Sequence, residues 1–490
     1  MNTKKDITEL LLTISVIRTI GSTEKYVCNV VCDSRKVSEG TLFVAVNGVN
    51  IDAHRFIPDA IEKGANVIVC EVLPEIINKN VCYILVENST IALAHIAAWW
   101  YNFPSSKLQL VGVTGTNGKT TTATLLYDTM QLLGHKAGLL STVCNIIDRQ
   151  VIPAEQTTPD TLSLNRMLAE MVEAGCEYAF MEVSSHSCSQ HRIDGLTFKG
   201  AVFSNLTRDH LDYHQTVTNY MNAKKMFFDM LPESAFALVN SDDKAGAYML
   251  QNTVAEKHTY SLRNIADYKC KIIESRLNGT SLSINGNDIE VLFTGKFNAY
   301  NLLAVYGTAM LLGFNSNEIL VAMTQLVPVA GRFQTLTSPR GYTAIVDYAH
   351  TPDALVNVLT SIKEVIGNKG NIITVVGAGG NRDKGKRPIM AREAAMRSDR
   401  VILTSDNPRN ENPEEILKNM EAGLDNENRM RVLKITDRKD AIRTAIMLAQ
   451  PGDVVLVAGK GHEDYQEING IKHHFDDKEV LIDIFNNEIK

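Results

Sequence analysis

The amino-acid sequence predicts an α/β protein built from three domains. A buried strand at residues 108–113 leads through a glycine-rich turn into an amphipathic helix at residues 121–133, a unit typical of parallel sheets. Strands then alternate with helices along most of the chain, as they do in doubly wound sheets. The length of 490 residues fits about three domains of ordinary size. We therefore expect domains at residues 1–88, 89–328 and 329–490.

The predicted elements follow from apolar runs of strand length separated by helical patterns. In the first domain, strands are expected at residues 41–46, 65–71 and 81–86, with a helix at 56–63. In the second, strands are expected at 108–113, 137–143, 178–183, 200–205 and 237–240, followed by β segments at 269–274 and 281–293 and a helix at 298–312. In the third, strands are expected at 343–347, 372–377, 400–404 and 453–458. The first domain is therefore a small α/β unit, and the other two are parallel-sheet domains.

The composition excludes several classes of function. The net charge of −7 argues against nucleic acid as a partner. The eight cysteines are scattered and include no Cys-x-x-Cys pair, so neither a disulfide framework nor a structural zinc site is indicated. No segment approaches about eighteen uninterrupted apolar residues, and the N-terminal apolar run lacks the cleavage site of a secretory signal. We expect a cytoplasmic protein without a membrane span.

The glycine-rich turn has the composition of a phosphate-binding loop. Residues 111–122 read Val-Gly-Val-Thr-Gly-Thr-Asn-Gly-Lys-Thr-Thr-Thr. Glycine allows the backbone to approach phosphoryl oxygens, and successive N–H groups at the start of a helix form a nest for an anion. Lys119 would reach the β- and γ-phosphates, and Thr120 would be a ligand of Mg²⁺. The strict pattern requires glycine where this chain has Val113, so we expect an ATP or GTP site with an unusual loop.

Two side chains beyond neighbouring strands are candidates for one metal site. Glu182 lies at the end of one predicted strand, and His210 follows the next. Ligands collect at the carboxyl ends of parallel strands, so both are placed near Thr120. A Mg²⁺ ion that bridges ATP oxygens accepts a carboxylate and a hydroxyl readily and an imidazole acceptably. The alternatives are a turn-capping glutamate and a surface histidine, or a zinc site at His210 and His214, for which no third ligand is evident.

A predicted helix at residues 220–229 contains two adjacent lysines, Lys224 and Lys225, beside an apolar stripe. Such lysines usually extend along the core and keep their ammonium groups in water. The alternative is that one of these lysines has a function of its own, and the pattern alone leaves both interpretations open.

Polar residues also follow the predicted strands of the third domain, where they would face a crevice. Arg382 and Arg409 offer planar guanidinium groups suited to carboxylates, while Asp406 and Glu463 could hold an ammonium group. Together these groups would fit a zwitterionic amino acid. The alternative is that arginines beside aspartate, glycine and proline lie in solvated turns.

Motifs spread over the chain resemble those of the Mur ligases, ATP-dependent enzymes that assemble the peptide of peptidoglycan. The motifs are GVTGTNGKTTT at 112–122, TTPD at 157–160, EVSSH at 182–186, NLTRDHLD at 205–212, GKFNAYN at 295–301, GR at 331–332, DYAH at 347–350 and DNPR at 406–409. The resemblance extends from residues 33–35 to residues 459–463, so it covers essentially the whole chain. It implies a small uridine-nucleotide-binding α/β domain, a central P-loop parallel-sheet ATPase domain and a C-terminal Rossmann-like α/β domain.

The resemblance also implies roles for individual residues. It places the uridine nucleotide at Cys32 and Ser34, with the turn at residues 49–51 near the diphosphate. It places the muramoyl dipeptide at Thr157, Thr158, Ser184, Gln190 and Arg192. It places ATP at Gly115, Thr116, Asn117, Gly118, Lys119, Thr120, Thr121, Asn298, Asn301, Arg332 and Asp347. It places Mg²⁺ at Thr120, Glu182, His210 and Lys224 as a carbamate, and it makes Lys119, Glu182, His210 and Lys224 the catalytic residues.

Within the family, the resemblance implies diaminopimelate as the incoming amino acid, bound by Arg382, Asp406, Asn407, Pro408, Arg409, Gly459 and Glu463. Diaminopimelate differs from lysine by a carboxylate at its far end, and burial of that charge requires a paired cation. Arg409 supplies one, whereas lysine-adding members generally replace this arginine. The expected reaction joins a UDP-N-acetylmuramoyl dipeptide to diaminopimelate with ATP and Mg²⁺, in a protein expected to be a monomer. The alternatives are the lysine-adding ligase, a P-loop motor, switch or transport protein, and a glutamate-adding folate relative, which would lack the first domain.

Overall fold

The computed structural model describes residues 4–48 and 51–488, and the predicted α/β architecture is confirmed. Three large sheets, each packed against helices, follow one another along the chain. Within the described residues, no helix is both long and apolar enough to cross a lipid bilayer.

The first sheet has five strands. Its strands are β2 (Val16–Ile20), β4 (Asn29–Val31), β5 (Thr41–Val44), β6 (Ala65–Cys70) and β7 (Cys82–Val86), beside a separate antiparallel pair of β1 (Lys5–Asp6) and β3 (Tyr26–Val27). The helices of this part are α1 (Ile7–Leu10), α2 (Ile57–Glu62) and α3 (Ser89–Trp100). The strand order is β2–β7–β6–β5–β4, with β2 antiparallel to β7 and the others parallel.

Helix α3 packs against this first sheet. It begins after Asn88, whose side chain accepts hydrogen bonds from two N–H groups of the first turn. Ile96 and Trp99 on the helix are buried in the same core as Val67 and Ile84 on the strands. The boundary predicted between residues 88 and 89 therefore falls at the start of a helix that belongs to the first core. The division into domains stays a prediction, and this packing favours an edge after residue 100.

The second sheet has eleven strands and lies at the centre of the chain. Its strands are β8 (Gln109–Thr114), β9 (Ala137–Leu140), β10 (Cys144–Ile147), β11 (Gln150–Pro153), β12 (Tyr178–Glu182), β13 (Gly200–Phe203), β14 (Phe236–Asn240), β15 (Glu256–Ser261), β16 (Tyr268–Arg276), β17 (Gly279–Ile284) and β18 (Asn287–Val291). The order is β11–β10–β9–β12–β8–β13–β14–β15–β16–β17–β18. The strands from β9 to β16 in this order are parallel, and an antiparallel ribbon closes each edge.

Helices cover both faces of the central sheet. They are α4 (Lys119–Leu132), α5 (Thr161–Glu173), α6 (Ser185–Ser189), α7 (Leu211–His214), α8 (Val217–Asp229), α9 (Lys244–Met249), α10 (Lys296–Leu311) and α11 (Ser316–Gln325). Successive residues of a strand point to opposite faces. Accordingly Val111 of β8 belongs to the core under α4 and α10, and Leu110 belongs to the core under α5 and α8. Both faces of β8 are thus buried, which fixes the glycine-rich turn at its end.

The edges of the central sheet differ from the prediction. The β segment expected at residues 281–293 is a hairpin of β17 and β18. Its turn is Asn285-Gly286, and both residues have positive φ, as two-residue hairpins favour. The ribbon of β10 and β11 and the polar strand β15 were not predicted, because their sequences lack a continuous apolar run.

The third sheet has six strands. Its strands are β19 (Gln334–Thr337), β20 (Thr343–Asp347), β21 (Ile372–Ala378), β22 (Arg400–Ser405), β23 (Val432–Lys434) and β24 (Val454–Ala458), and a separate hairpin consists of β25 (Tyr465–Ile468) and β26 (Ile471–His474). The helices are α12 (Pro352–Ile366), α13 (Lys386–Arg397), α14 (Pro413–Glu421), α15 (Asn426–Arg429), α16 (Arg438–Leu448) and α17 (Asp477–Glu488). The order is β19–β20–β24–β21–β22–β23, parallel except for β19.

A buried ion pair joins α16 and α17 on this sheet. Nε and Nη2 of Arg438 each lie 2.7 Å from one carboxylate oxygen of Asp477, and neither side chain is exposed. Nη2 also donates to the carbonyl of Ala458 at the end of β24. The pair therefore fixes the C-terminal helix to the strand whose end leads into the loop at residues 459–463.

We expect Asp477→Ala to lower the free energy of unfolding by about 3–5 kcal/mol, because it leaves the Arg438 guanidinium buried without a counter-charge. Urea unfolding followed by circular dichroism measures the change. The control is Arg443→Gln, which breaks an exposed pair with Asp440 and should cost less than about 1 kcal/mol. Equal losses in the two variants would contradict the importance of the buried pair.

Candidate functional site

A cavity of about 680 Å³ lies between the carboxyl ends of the central strands and the third sheet. Residues with predicted roles come together along its walls. They are Thr116, Asn117, Gly118, Lys119, Thr120, Thr157, Thr158, Glu182, Ser184, Arg192, His210, Lys224, Arg332 and Arg382. The residues predicted for phosphate, metal and dipeptide thus share one cavity.

The turn between β8 and α4 requires glycine at two positions. Gly115 and Gly118 have φ of 146° and 87°, values that other residues rarely adopt. A Cβ at Gly115 would lie 2.0 Å from Oγ of Ser204, and one at Gly118 would lie 2.5 Å from Oδ1 of Asn301. Val113, where the strict pattern has glycine, still lies within β8 and is fully buried. Val113 therefore packs in the core, and the turn begins two residues later, at Gly115.

Asn205 fixes the conformation of the phosphate loop. Its Oδ1 accepts the N–H of Asn117 at 3.0 Å, and its Nδ2 donates to the carbonyl of Asn117 at 3.0 Å. Its own carbonyl accepts the N–H of Thr116 at 2.8 Å. The sequence analysis gave Asn205 no role of its own. Its position could have indicated this role, because Asn205 closely follows β13, the strand that pairs with β8.

Two lysines donate to the same loop carbonyl. Nζ of Lys119 lies 3.1 Å from the carbonyl of Gly115 and 2.9 Å from that of Thr116. Nζ of Lys224 lies 2.8 Å from the carbonyl of Gly115 and 4.6 Å from the centre of the Tyr220 ring. Burial lowers the pKa of both lysines, and the charge of Lys119 lowers the pKa of Lys224 further. The loop is therefore surrounded by cations that an anion would stabilise.

The two adjacent lysines of α8 lie in different environments. Lys224 is 1% exposed and lines the cavity, and its pKa is well below the usual range for lysine. Lys225 is also buried, but its Nζ forms an ion pair with Asp229 at 2.5 Å. The conditions that favour a neutral, reactive amine are thus present at Lys224.

The side chains predicted for Mg²⁺ form a suitable donor set. Glu182 is 1% exposed, and its Oε1 accepts the N–H of Thr142 at 2.7 Å. Within the part of the chain that the structure describes, its Oε2 has no hydrogen-bond partner. Burial is the largest cause that lowers the pKa of His210 to about 4, so its imidazole is neutral at pH 7, the form that binds metals. With the hydroxyl of Thr120, these side chains offer the oxygen and nitrogen donors that a magnesium–nucleotide complex accepts.

The zinc alternative at His210 and His214 finds no support. Nε2 of His214 lies 2.9 Å from Oγ of Ser185, and the side chain is buried. Among residues 4–48 and 51–488, no group of three or more histidine, cysteine, aspartate or glutamate side chains is arranged to hold a metal ion. The predicted magnesium site is not such a group, because two of its four ligands would be a threonine hydroxyl and a lysine carbamate.

Four of the five residues predicted for the dipeptide form one hydrogen-bonded group: Thr158, Ser184, Gln190 and Arg192. Nε and Nη2 of Arg192 donate to Oε1 of Gln190 at 3.0 and 2.6 Å, and Nη1 donates to the carbonyl of Thr158 at 2.8 Å. The Thr158 hydroxyl donates to the carbonyl of Glu182 at 2.8 Å and accepts the N–H of Ser184 at 3.2 Å. The group is thus continuous with the candidate metal ligand.

Arg332 reaches the phosphate loop from the C-terminal side of the cavity. Its Nη2 donates to Oγ1 of Thr120 at 3.0 Å, and its guanidinium lies over the ring of Tyr348 at 4.5 Å. Its Nε is buried and has no partner within the described residues. A guanidinium with a buried, unused donor beside a phosphate loop fits an anionic ligand.

Asp347 lies behind Arg332 rather than in the cavity. Its carboxylate accepts the N–H groups of Phe333 and Ala349, both at 2.7 Å, and burial raises its pKa to about 6. It therefore holds the turn that contains Arg332. The sequence analysis assigned Asp347 to ATP, and the structure gives it a contact with the residue next to Arg332.

Asn298 and Asn301 lie behind the loop. Oδ1 of Asn301 accepts the hydroxyl of Thr122 at 3.4 Å, and its Nδ2 donates to Oδ1 of Asn298 at 3.3 Å. Both are buried, as is Thr121 in the first turn of α4, and none of the three lines the cavity. They connect α10 to α4.

A fully buried lysine organises the predicted amino-acid site. Nζ of Lys460 donates to Oε2 of Glu463 at 3.2 Å, to Oδ1 of Asn407 at 3.4 Å and to the carbonyl of Tyr465. Asn407 in turn donates to Oε2 of Glu463 at 2.7 Å. Burial and then the charge of Asp406 raise the pKa of Glu463. The sequence analysis missed Lys460, because a lysine between two glycines after a strand is usually solvated.

The two arginines predicted for carboxylate binding flank one glycine. A Cβ at Gly379 would lie 3.0 Å from Nη1 of Arg409 and 3.7 Å from Cγ of Arg382. Nη1 of Arg409 donates to the carbonyl of Gly380 at 2.8 Å, and Gly380 packs against the carbonyl of Pro408. Arg382 lines the cavity and Arg409 does not. The glycine pair at residues 379–380 lies between the two arginines and connects Arg409 to the cavity wall.

The predicted uridine residues lie at the end of β4. Ser34 begins a short 3₁₀ turn that Asp33 caps. Cys32, two residues earlier, is exposed to solvent. Val49 and Asn50 of the predicted diphosphate turn lie outside the described residues.

Family models match three parts of the chain. The match to "Mur ligase family, catalytic domain" covers residues 27–101, that to "Mur ligase middle domain" covers residues 113–309, and that to "Mur ligase, glutamate ligase domain" covers residues 331–461.

Individual proteins also resemble the chain over its whole length. A protein of Phocaeicola vulgatus named UDP-N-acetylmuramoyl-L-alanyl-D-glutamate–2,6-diaminopimelate ligase is 60% identical over 475 residues, which cover 97% of this chain and 98% of that protein. A solved structure with the same ligase name is 32% identical, has a TM-score of 0.72 and covers 100% of both chains. The MurF ligase of Thermotoga maritima in complex with ADP is 20% identical, with a TM-score of 0.62 over 94% of this chain and 97% of that one, and supports the fold.

We expect the free energy of unfolding to fall as the pH is lowered from about 6.5 toward 4, because two partly buried histidines at the site stay neutral. Burial lowers the pKa of His350 to about 4 and that of His462 to about 3, against 6.5 in the unfolded chain. Below pH 6.5 the unfolded state binds a proton that the folded state does not, which costs about 1.4 kcal/mol per pH unit for each histidine. Urea unfolding at pH 7, 6 and 5 measures the slope.

His462→Gln removes one histidine that takes up a proton when the chain unfolds. The difference in unfolding free energy between wild type and variant should therefore change with pH over this range. His473→Gln, at an exposed position, is the matched control and should leave the slope unchanged. A difference that does not depend on pH would contradict the neutral state of His462.

Proposed function

We propose, because this chain belongs to the Mur ligase family, that it is the ATP-dependent ligase that adds 2,6-diaminopimelate to UDP-N-acetylmuramoyl-L-alanyl-D-glutamate. The product is an amide of the D-glutamate γ-carboxylate, in the synthesis of peptidoglycan. The observation that supports this function most directly is the shared cavity, where a phosphate loop, a dipeptide-binding group and Arg382 meet.

In the first step, the γ-carboxylate of D-glutamate attacks the γ-phosphorus of ATP and gives an acyl phosphate and ADP. Lys119 leaves the loop carbonyls and reaches the phosphoryl oxygens. Because the site is shielded from water, its positive charge stabilises the developing negative charge more strongly there. Arg332 stabilises the transferred group with the donors that it does not use on Thr120. No side chain acts as a nucleophile, so position and charge supply the rate enhancement.

In the second step, the amine of diaminopimelate attacks the acyl carbon, and phosphate leaves after a tetrahedral intermediate. Asp406, Asn407 and Glu463 orient the amino acid, and Lys460 holds Asn407 and Glu463 in place. The acyl phosphate would react with water in an open site. Closure of the third sheet over the cavity therefore serves to exclude water.

Thr120, Glu182 and His210 would hold Mg²⁺, with Lys224 as a carbamate near a second ion. When bound, the metal neutralises charge on the phosphoryl oxygens. Carbamoylation also removes a positive charge from a cluster that already contains Lys119 and Arg332. We further propose the uridine nucleotide site at Cys32 and Ser34, a cytoplasmic location and a monomeric state.

The carboxylate at the far end of diaminopimelate distinguishes it from lysine. Arg409 is only 22% exposed and has an ion pair with Glu467 at Nε, so bound lysine would leave its Nη2 without a partner. Its preorganised guanidinium therefore supports diaminopimelate over the lysine-adding alternative.

An assay that offers diaminopimelate and lysine together should yield the diaminopimelate product almost exclusively. Arg409→Gln should lower kcat/KM for diaminopimelate by about a hundredfold or more and leave the low value for lysine nearly unchanged. Arg443→Gln, an exposed arginine of the same sheet region, is the control and should change neither. Preferential use of lysine by the wild type would refute the assignment.

We expect a carbamate at Lys224. Wild-type protein in ¹³C-bicarbonate should show a carbamate carbonyl signal in its NMR spectrum, and Lys224→Ala should lose both this signal and at least about 99% of activity. Lys225→Ala should keep the signal, because that lysine is paired with Asp229. A signal that survives in Lys224→Ala would place the modification elsewhere.

A further inference from the structure

Glu467 contacts Arg409 through both its backbone and its side chain. The carbonyl of Glu467 accepts the N–H of Arg409 at 3.0 Å, and its Oε2 lies 3.2 Å from Nε of the guanidinium. The N–H of Glu467 donates to Oδ1 of Asn407 at 2.9 Å, and the amide of Gln466 donates to the carbonyl of Asp406 at 2.6 Å. Strand β25 thus lies along the whole segment from residue 406 to residue 409.

The Arg409 guanidinium has an ion pair at one of its three nitrogens and a hydrogen bond at another. Nε faces Glu467, and Nη1 donates to the carbonyl of Gly380 at 2.8 Å. Its Nη2 donates to no protein atom within residues 4–48 and 51–488. Because the guanidinium is planar and rigid, two anchors fix the direction of the third nitrogen.

We infer that Glu467 is a positioning residue for substrate specificity: it holds Nε of Arg409 so that Nη2 is directed to the far carboxylate of diaminopimelate. This inference rests on the proposed function. Glu467 lies on the separate hairpin of β25 and β26. From there it would control the orientation of Arg409, the arginine that selects the amino acid.

Stability alone does not account for the pair. The two side chains are 22% and 26% exposed, and ion pairs that are open to solvent contribute little to folding. The backbone bonds of Glu467 to Arg409 and Asn407 do not involve its side chain, so they remain after truncation. Removal of the carboxylate is therefore expected to free the guanidinium without unfolding the hairpin.

A second interpretation is that Glu467 binds the far ammonium group of the substrate directly. Lysine and diaminopimelate both have an ammonium group at that end, whereas only diaminopimelate has the carboxylate. Loss of an ammonium ligand would weaken both amino acids, and loss of a positioning residue would weaken diaminopimelate alone. A comparison of the two substrates therefore separates the interpretations.

The experiment measures KM and kcat of the full-length enzyme for diaminopimelate and for lysine, with UDP-N-acetylmuramoyl dipeptide and ATP saturating. Glu467→Ala should raise KM for diaminopimelate about tenfold with kcat nearly unchanged, as expected for loss of one ion pair, and should not alter kcat/KM for lysine. Glu467→Gln should recover only part of the loss, because the amide occupies the same space beside Nε but lacks the charge of the carboxylate. Glu415→Ala, an exposed glutamate paired with Lys418, is the control.

The same substitution in an Arg409→Gln background tests whether Glu467 acts through the arginine. Glu467→Ala should then have no further effect on KM for diaminopimelate. An unchanged KM in the single variant, equal losses for the two substrates, or additive effects in the double variant would each overturn the inference. If the wild type fails to use diaminopimelate, the proposed function fails; if the wild type uses it and Glu467→Ala behaves like wild type, only this inference fails.

Discussion

The concentration of positive charge around the phosphate loop is the constraint on which the rest of the site depends. Lys119 and Lys224 donate to the same carbonyl, that of Gly115, and Arg332 donates to the first turn of α4. When all three are charged they repel one another, and burial lowers the pKa of both lysines, so the fully charged arrangement is costly without an anion. A nucleotide triphosphate and a carbamate both relieve that cost. The site is therefore organised for polyanions before any of them is bound.

The fold brings these cations together by aligning strand ends. The loop after β8, the end of β12 and the segment after β13 supply Lys119, Glu182 and His210, and the three strands are neighbours in one parallel sheet. Parallel neighbours place their carboxyl ends on one edge, so residues about thirty to ninety positions apart in sequence reach the same cavity. The site is consequently a property of the sheet order and not of any single motif.

The sequence predicted the parts of this arrangement that depend on regular patterns. The strands that flank the phosphate loop are continuous apolar runs, and the loop itself has a distinctive composition, so both were recognised. The helical pattern did not separate the two adjacent lysines, and only the spacing of the family motif favoured Lys224. Their physical difference lies in their partners: Asp229 for Lys225, and a loop carbonyl far along the chain for Lys224. Lys460 and Asn205 were missed for the same reason, since each acts through contacts with residues distant in sequence.

The ATP site and the amino-acid site are joined mechanically through Asp347. Its carboxylate holds the N–H of Phe333, next to Arg332, and its carbonyl accepts the N–H of Gly459 at 3.0 Å. Gly331 packs so closely against the backbone of residues 461–462 that a Cβ there would lie 2.1 Å from the nitrogen of His462. The turn that presents Arg332 to the phosphate loop and the loop that contains Lys460 and Glu463 are thus one packed unit. Under the proposed function, a movement that brought the amino acid toward the acyl group would also carry Arg332 toward the phosphate, so closure would complete both halves of the site at once.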